Sequence, residues 1–513
     1  MKKQFILINF LFVFVLLGIL SINVNASSFT DGDFTLIIES NNDITITGYN
    51  GAGGALAIPS TFTDSNSISR IVTAIGNNAF ENNSITSITI PSSITSIGSA
   101  AFKANSFSSI SIPTSVEFIG DNAFTNNNSL ASVDFNGNDS ITSLGNAIFS
   151  GTSLASINPT SLNMGINLFK QLVAKDETFM ENQTSATLDL SSITSIGNRT
   201  FSWGSMSALT IPSSVTSIGE GAFQYNDIAT LSFSNRTTAF TSLGNAVFSG
   251  NNLVTINTST LGLNDTVLIQ LIETDATFSE NVINSLTLPA SLTSIGNYTF
   301  GDNEIATLTF PTTLTTIEDE AFSANYLEDL VFPASLTTIG AEAFLENYLT
   351  EITIPTTITS LGNLAFGYNL INAITFEGDT SVSLFAPGFL DEDGIVAGKS
   401  TFSSTYSHWE DSTYIYSSFD PDRYDTNGTL LAGTYSFNLS DANTTNNPNL
   451  DIWSFTTSAP STPGVTPPTN TTPTTPQEPL PQTGVSESYA CILGLGALLY
   501  FISKRIKYST QQK

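Results

Sequence analysis

The chain is poor in the residues on which most enzyme chemistry rests. It has one cysteine, Cys491, and one histidine, His408, in 513 residues. A single cysteine excludes a disulfide scaffold, a zinc ribbon and a thiolate-held iron–sulfur cluster. A single histidine removes nearly all imidazole acid–base schemes and most metal sites, and no cofactor is expected. Positive charge is equally scarce: 14 Lys and Arg stand against 44 Asp and Glu, a formal net charge of −30. Phosphate recognition needs clustered Lys and Arg, so a nucleic-acid partner bound through a basic patch is excluded.

What the chain has instead is repetition, which must be examined before secondary structure. A unit of the form I-P-S-S-I-T-S-I-G-x-x-A-F-x-x-N recurs, with its Phe at Phe80, Phe102, Phe124, Phe149, Phe179, Phe201, Phe223, Phe248, Phe278, Phe300, Phe322, Phe344 and Phe366. Spacings of 22, 22, 25 and 30 residues occur twice in succession, as if a four-unit cassette had been duplicated, and four spacings of 22 follow.

The second unit shows the physics. Ile85, Ile88 and Ile90 alternate with Ser87 and Thr89, the period-2 pattern of a short strand. Pro91 cannot donate a ladder hydrogen bond and helps end that strand. Ile94 and Ile97 turn inward again, Gly98 is expected at positive φ where the chain bends, and Ala101 and Phe102 fill the space beneath. One such coil is too small to fold alone, so copies must stack. Three residues past most of the Phe stands an Asn: Asn83, Asn105, Asn127, Asn182, Asn226, Asn251, Asn281, Asn303, Asn325, Asn347 and Asn369, with Thr152 and Gly204 as exceptions. These are expected to form a buried ladder that satisfies turn backbone groups of adjacent coils. The two 30-residue units insert 164–176 and 263–275, whose apolar residues have helical spacing (Leu168, Phe169, Leu172, Val173; Val267, Leu268, Leu271, Ile272). They are expected as short amphipathic helices on the convex side, bridging neighbouring coils.

These units resemble the leucine-rich repeats of BspA-type bacterial surface antigens, over about residues 29–376. The opening Ile44-Thr45-Ile46-Thr47-Gly48-Tyr49 with Ile58-Pro59 also looks like that family. The resemblance implies a leucine-rich-repeat solenoid: a curved parallel β-sheet on the concave side and short convex turns. That family is associated with adhesion to host and matrix proteins and to other microbes, and has no family-wide catalytic residues. The residues between the apolar strand positions should face outward from the concave sheet. They give a candidate ligand face of Ser87, Thr89, Ser109, Ser111, Thr230, Ser232, Ser285, Thr287, Thr307, Thr309, Glu351 and Thr353. It is rich in small hydroxyls and offers no aromatic or Arg anchor, so a protein or glycan ligand would be held there by many weak contacts. A curved sheet matches a flat ice lattice poorly, which disfavours ice binding.

The ends of the chain resemble addresses. Lys2 and Lys3, the apolar run 5–20, and the small residues Val24 and Ala26 read as a signal peptide over 1–26. At the other end Leu480-Pro481-Gln482-Thr483-Gly484 precedes an apolar run, 489–502, and the basic Lys504, Arg505 and Lys507. This order resembles the LPXTG sorting signal of Gram-positive surface proteins (480–513). In that family a membrane sortase cuts between Thr and Gly and joins the Thr to peptidoglycan. The resemblance implies Thr483 as the wall-attachment residue, and a precursor held briefly in the membrane with its cationic tail inside. Between these ends the expected parts are an N-terminal cap at 27–66, the solenoid at 67–380, and a small β-rich cap or accessory domain at 381–457. A Pro/Thr/Ser-rich stretch at 458–482 cannot form a core and reads as a disordered, wall-spanning stalk. In 381–457, Asp420, Asp422, Asp425 and Asn427 look superficially like a calcium loop, but their spacing does not fit an EF-hand and a plain acidic turn is expected. His408 is expected to pack beside Trp409.

The sequence therefore points to a secreted, peptidoglycan-anchored adhesin or binding module that is not an enzyme. A structural wall coat without a specific ligand is the alternative. A wall-active hydrolase would need a carboxylate pair in a cleft, and none with catalytic context stands out.

Overall fold

The computed structural model describes residues 27–182, 187–371 and 373–377, together with the strands Val396–Gly398, Ile415–Ser417, Gly433–Phe437 and Trp453–Thr457. The array is a parallel solenoid in which a regular coil carries two short strands and one tight turn. In the second coil Ile85–Thr89 is the first strand and Ser96–Ile97 the second. Ile85, Ile94, Ile97, Ala101 and Phe102 are buried to the last few ångström², as the alternation requires.

Stacking makes two rows. The second strands form the longer ladders: Ser69–Ile75, Ser96–Ile97, Phe118–Ile119 and Ser143–Leu144 run side by side. The row resumes over Ser195–Ile196, Ser217–Ile218 and Ser242–Leu243, and again from Ser294–Ile295 to Ser360–Leu361. The first strands join mostly in parallel pairs, such as Ser109–Ser111 with Ser132–Asp134 and Ala208–Thr210 with Thr230–Ser232. Strands expected around Thr307/Thr309 and Asp329/Val331 do not form ladders. There Phe310 and Phe332 take the place that Ile90 has in the second coil, and their rings stack at 5.9 Å.

The inserted helices form as expected, and each takes the place of a strand. α1 (Ile166–Val173) and α3 (Asp265–Ile272) bury Leu168, Phe169, Leu172, Val173 and Val267, Leu268, Leu271, Ile272. A one-turn helix, α2 (Thr258–Leu261), precedes α3, capped by the Asn257 side chain. α1 and α3 replace the second strand and from that place join neighbouring coils: Gln270 of α3 donates to the Phe240 carbonyl at 2.9 Å and accepts from Phe240 N at 2.7 Å, one coil back. In regular coils the Gly N–H bonds the Ile carbonyl of the coil before, as Gly98 to Ile75 at 2.8 Å. Gly197 reaches the last residue of α1, Val173, at 3.0 Å, and Gly296 reaches Ile272 of α3 at 3.0 Å. The helix therefore delivers its final carbonyl to the position a strand would.

The first end is closed by an antiparallel hairpin, Ser27–Asp31 with Phe34–Ile38, that continues through Ile44–Tyr49 onto Ser69–Ile75. Phe34 and Tyr49 pack on Phe80, the first ring of the array. After the last coil, Ala373–Phe376 pairs in parallel with Glu351–Ile354 and antiparallel with Gly433–Phe437, which pairs with Trp453–Thr457. The calcium-like turn, His408, the stalk and both terminal signals lie outside the described residues.

Two columns run the length of the array. All thirteen phenylalanines are at most 3% exposed. Each ring stacks on the next, with centroids 5.3–6.3 Å apart and planes within 17°. Beside them runs the asparagine ladder. Asn325 Nδ2 donates to the Phe carbonyl of the preceding coil, Phe300 (2.8 Å), and to that of its own coil, Phe322 (3.3 Å). Its Oδ1 accepts from Ile305 N (3.0 Å). Asn105, Asn127, Asn226, Asn251, Asn281, Asn303, Asn347 and Asn369 likewise donate to the preceding Phe carbonyl. At the first coil Asn83 takes the Tyr49 carbonyl of the cap instead. The exceptions leave marks: the Thr152 hydroxyl reaches only its own Phe149 carbonyl, Asn182 Oδ1 has no partner, and a void of about 10 Å³ lies beside Gly204.

The glycine expectation is corrected. Gly98 is not at positive φ; the left-handed residues of its coil are Ala100 and Ala104, at 53° and 56°. Gly98 is needed because a Cβ there would lie 2.7 Å from the backbone N of Asn77 in the coil before. Gly120 is tighter, at 2.5 Å from Ser99 N.

Three substitutions test these contacts. Asn325→Ala strands a buried amide donor and carbonyls, so chemical denaturation should show a loss of roughly 2–4 kcal/mol. Gly120→Ala should cost about 1–3 kcal/mol by forcing coils apart, while Ala104→Gly relieves a left-handed alanine and should leave stability unchanged or raise it by up to about 1 kcal/mol.

Candidate binding surface

The expected ligand residues do share one face, that of the first strands. Ser87, Thr89, Ser109, Ser111, Thr230, Ser285, Thr287, Thr307, Thr309, Glu351 and Thr353 are exposed and Ser232 is half-buried. Parallel register aligns some of them across coils: Thr89 beside Ala57, Ser109 beside Ser132, Ser111 beside Asp134, and Ser232 beside Thr210. Two of the hydroxyls accept bonds within the array: Ser111 from Asn136 Nδ2 at 2.7 Å, and Ser232 from Ser234 N at 3.5 Å.

A second hydroxyl row, missed in the sequence, lies on the second-strand face and behaves differently. Thr95 Oγ1 donates to the Thr73 carbonyl one coil back, at 3.2 Å; Thr216, Thr315, Thr337 and Thr359 repeat this at 3.0–3.3 Å. Those hydroxyls brace the stack, leaving the first-strand face as the one whose hydroxyls are offered outward. A second side-chain ladder was also missed. In several coils the Asn or Asp three residues before the Phe accepts the N–H of its counterpart one coil on, as Asp121 from Asn146 N (2.7 Å) and Asp319 from Ala341 N (2.7 Å). The Asn or Asp that stands three residues before ten of the thirteen Phe was the available signal.

Charge is distributed unevenly along the array. No Lys or Arg lies between Arg236 and Lys399, while fifteen Asp and Glu lie between 237 and 377. Arg236 itself is buried. Its Nη1 donates to the Val215 carbonyl at 2.6 Å, its Nε to that of Thr238 at 2.7 Å, and its guanidinium carbon sits 3.8 Å over the Phe240 ring. Asn138 performs the same capping in the earlier cassette, reaching the Val116 carbonyl at 2.9 Å. Arg236 is thus a structural cap, and a shallow opening beside it is lined by Asn235, Thr237, Thr258, Ser259 and Asn264.

Aromatic side chains, absent from the hydroxyl row, occur on the turns that lead into it. Trp203 and Tyr225 pack at 4.2 Å, and Tyr326 and Tyr348 at 5.9 Å. Among the described residues no group of three His, Cys, Asp or Glu is arranged to hold a metal ion, and no helix is long and apolar enough to cross a membrane. The sorting-motif residues Leu480, Pro481, Gln482, Thr483 and Gly484 lie outside the described residues.

The acidic coils carry a pH dependence. Partial burial raises the Glu320 carboxyl, and Glu342, Asp319 and Asp302 add repulsion; Glu342 is raised by burial and Asp319, and Glu318 by burial, Asp319 and Asp275. Burial, then Asp302 and Glu280, push the Tyr298 phenol up. A carboxyl raised on folding holds its proton more tightly in the folded state, so its contribution to stability grows as pH falls. Amide hydrogen exchange in 296–362, corrected for intrinsic rate, should therefore slow as pH falls from 7 toward the ordinary glutamate value of 4.5. Glu320→Gln with Glu342→Gln should flatten that trend.

Comparison with known proteins places this architecture. A search of curated proteins finds no significant match. Solved structures with similarity include a leucine-rich repeat protein from Bacteroides ovatus (22% identity, 64% of this chain and 95% of that one, TM-score 0.46). A leucine rich cell surface protein from Faecalibacterium prausnitzii matches at 22% identity (69% and 96%, TM-score 0.38), and the pneumococcal vaccine antigen PcpA at 18% (69% and 82%, TM-score 0.35). The profile of the BspA type leucine rich repeat region matches residues 60–173, 170–265 and 272–384 in six copies. With its phenylalanine column and asparagine ladder spanning the same coils, this chain belongs to the BspA-type leucine-rich-repeat family.

Proposed function

We propose that this chain is a cell-wall-anchored surface adhesin, a binding module that presents its solenoid to a protein or glycan ligand. The observation that carries this reading is the uncommitted first-strand face. It extends over coil after coil, and of the expected ligand hydroxyls only those of Ser111 and Ser232 accept bonds within the array, whereas the threonine row that braces the stack is on another face. A leucine-rich-repeat solenoid is typically a binding scaffold, and many weak contacts over a long face suit a ligand that is itself extended. The sequence supports the location: the signal-like 1–26, the stalk-like 458–482 and the Leu480–Gly484 motif follow one another in the order that export, wall crossing and sortase attachment at Thr483 require.

Attachment and adhesion are separable in one experiment. In a Gram-positive host expressing the whole chain, Thr483→Ala with Gly484→Ala should move the protein from the muramidase-released wall fraction to the membrane and medium. Cell adhesion to matrix proteins or host glycans should fall with it. Unchanged wall linkage would refute sortase anchoring. Intact linkage with no saturable adhesion to any surface would favour a wall coat without a specific ligand.

A further inference from the structure

The first-strand face changes chemistry toward its C-terminal end. The earlier coils carry mostly Ser and Thr, with Asp134, Asp189 and Ala208 among them, whereas the coils after Phe322 and Phe344 bring Asp329, Val331 and Glu351 close together in the same row. Val331 is 84% exposed, an unusual position for an aliphatic side chain on a polar face. On the turn that leads into this row stand Tyr326, 49% exposed, and Tyr348, their rings 5.9 Å apart. The two stretches are adjacent, since Tyr348 N donates to the Leu327 carbonyl at 2.9 Å. Tyr326, Glu328, Asp329 and Val331 are exposed, while Leu327 and Leu330 between them are buried. The patch therefore combines two adjacent aromatic rings, an exposed aliphatic side chain and three carboxylates, Glu328, Asp329 and Glu351.

This combination selects one kind of partner. No Lys or Arg lies within the surrounding stretch from 237 to 398, so the patch cannot pair an anion, and a sulfated or phosphorylated polymer would be repelled. Aromatic faces attract Lys and Arg through the ring quadrupole, and carboxylates beside them add charge-assisted hydrogen bonds. We propose that this patch is a docking surface for a cationic polypeptide segment. Its Arg or Lys side chains lie over Tyr326 and Tyr348, its charges pair with Glu328, Asp329 and Glu351, and an apolar side chain rests on Val331. The proposal deepens the binding-module reading and rests on it. It names the part of the face where affinity concentrates, with the hydroxyl coils supplying surface but no anchor.

The test measures binding of fluorescent oligoarginine to the purified whole chain by anisotropy, with oligoserine and oligoglutamate as comparators. Oligoarginine should bind, and affinity should fall as salt rises. Tyr326→Ala with Tyr348→Ala keeps the net charge and should weaken binding about tenfold, while Tyr326→Phe with Tyr348→Phe keeps the rings and should bind as the parent does. Neutralising Glu328, Asp329 and Glu351 to their amides should weaken binding by at least as much. Neutralising Glu117, Asp139 and Asp227, exposed in distant coils, should change it by less than about twofold. Thermal melting shows that each variant is folded. Equal losses from the near and distant charge sets, or an alanine pair that binds like the parent, would show a diffuse charge effect and overturn the proposal, as would no binding at all. Adhesion of cells bearing the chain is read separately, so a patch that fails leaves the adhesin reading standing.

Discussion

Every coil of the array turns sharply around a phenylalanine, and the carbonyl of that phenylalanine is buried where only side chains can reach it. The asparagine three residues later resolves the problem for two coils at once. Its amide donates to the Phe carbonyl behind it and in most coils to its own, and its oxygen accepts a backbone N–H from the coil behind. Buried backbone groups left unpaired are costly, so this reciprocal capping makes each coil's turn dependent on its neighbour. The stacked rings fill the space beside it. Elongation of the array is then a consequence of satisfying one turn repeatedly.

The same dependence explains where departures from the repeat are tolerated. Replacing a second strand by a helix is accepted because α1 and α3 still end with a carbonyl in the place that the next glycine N–H requires. A longer unit is accepted if a buried side chain caps the carbonyl it uncovers, and Asn138 and Arg236 are two chemically different answers to that need. Loss of the asparagine itself is less well absorbed: around Thr152, Asn182 and Gly204 a buried oxygen lacks a partner and a small void remains. Local stability in the array should accordingly be uneven, lowest where the ladder is interrupted.

Function occupies what the scaffold leaves over. Of the two hydroxyl-bearing faces, one is used to brace the coils and the other is offered outward, and they are chemically almost the same in sequence. Ser and Thr at a solvent-facing position read alike whether the hydroxyl bonds a neighbouring carbonyl or faces water. The surface that differs in kind, with Tyr326, Tyr348, Val331 and its carboxylates, lies beside coils whose first strands form no ladder. There the carboxylates have like charges for neighbours and no cation to offset them.

The repeat length, the inward phenylalanines, the asparagine ladder and the amphipathic character of the two inserts were legible in the sequence alone, because each follows from periodicity and from the need to bury apolar groups and satisfy polar ones. The address-like ends were legible as motifs. Tertiary structure decided the rest. Gly98 is glycine because of an approaching backbone 22 residues earlier, and no local rule could distinguish that from a bend at positive φ. The helices occupy a strand's place because of a hydrogen bond to the following coil. Contacts between residues distant in sequence fixed these features, whereas the pattern within one coil fixed the others.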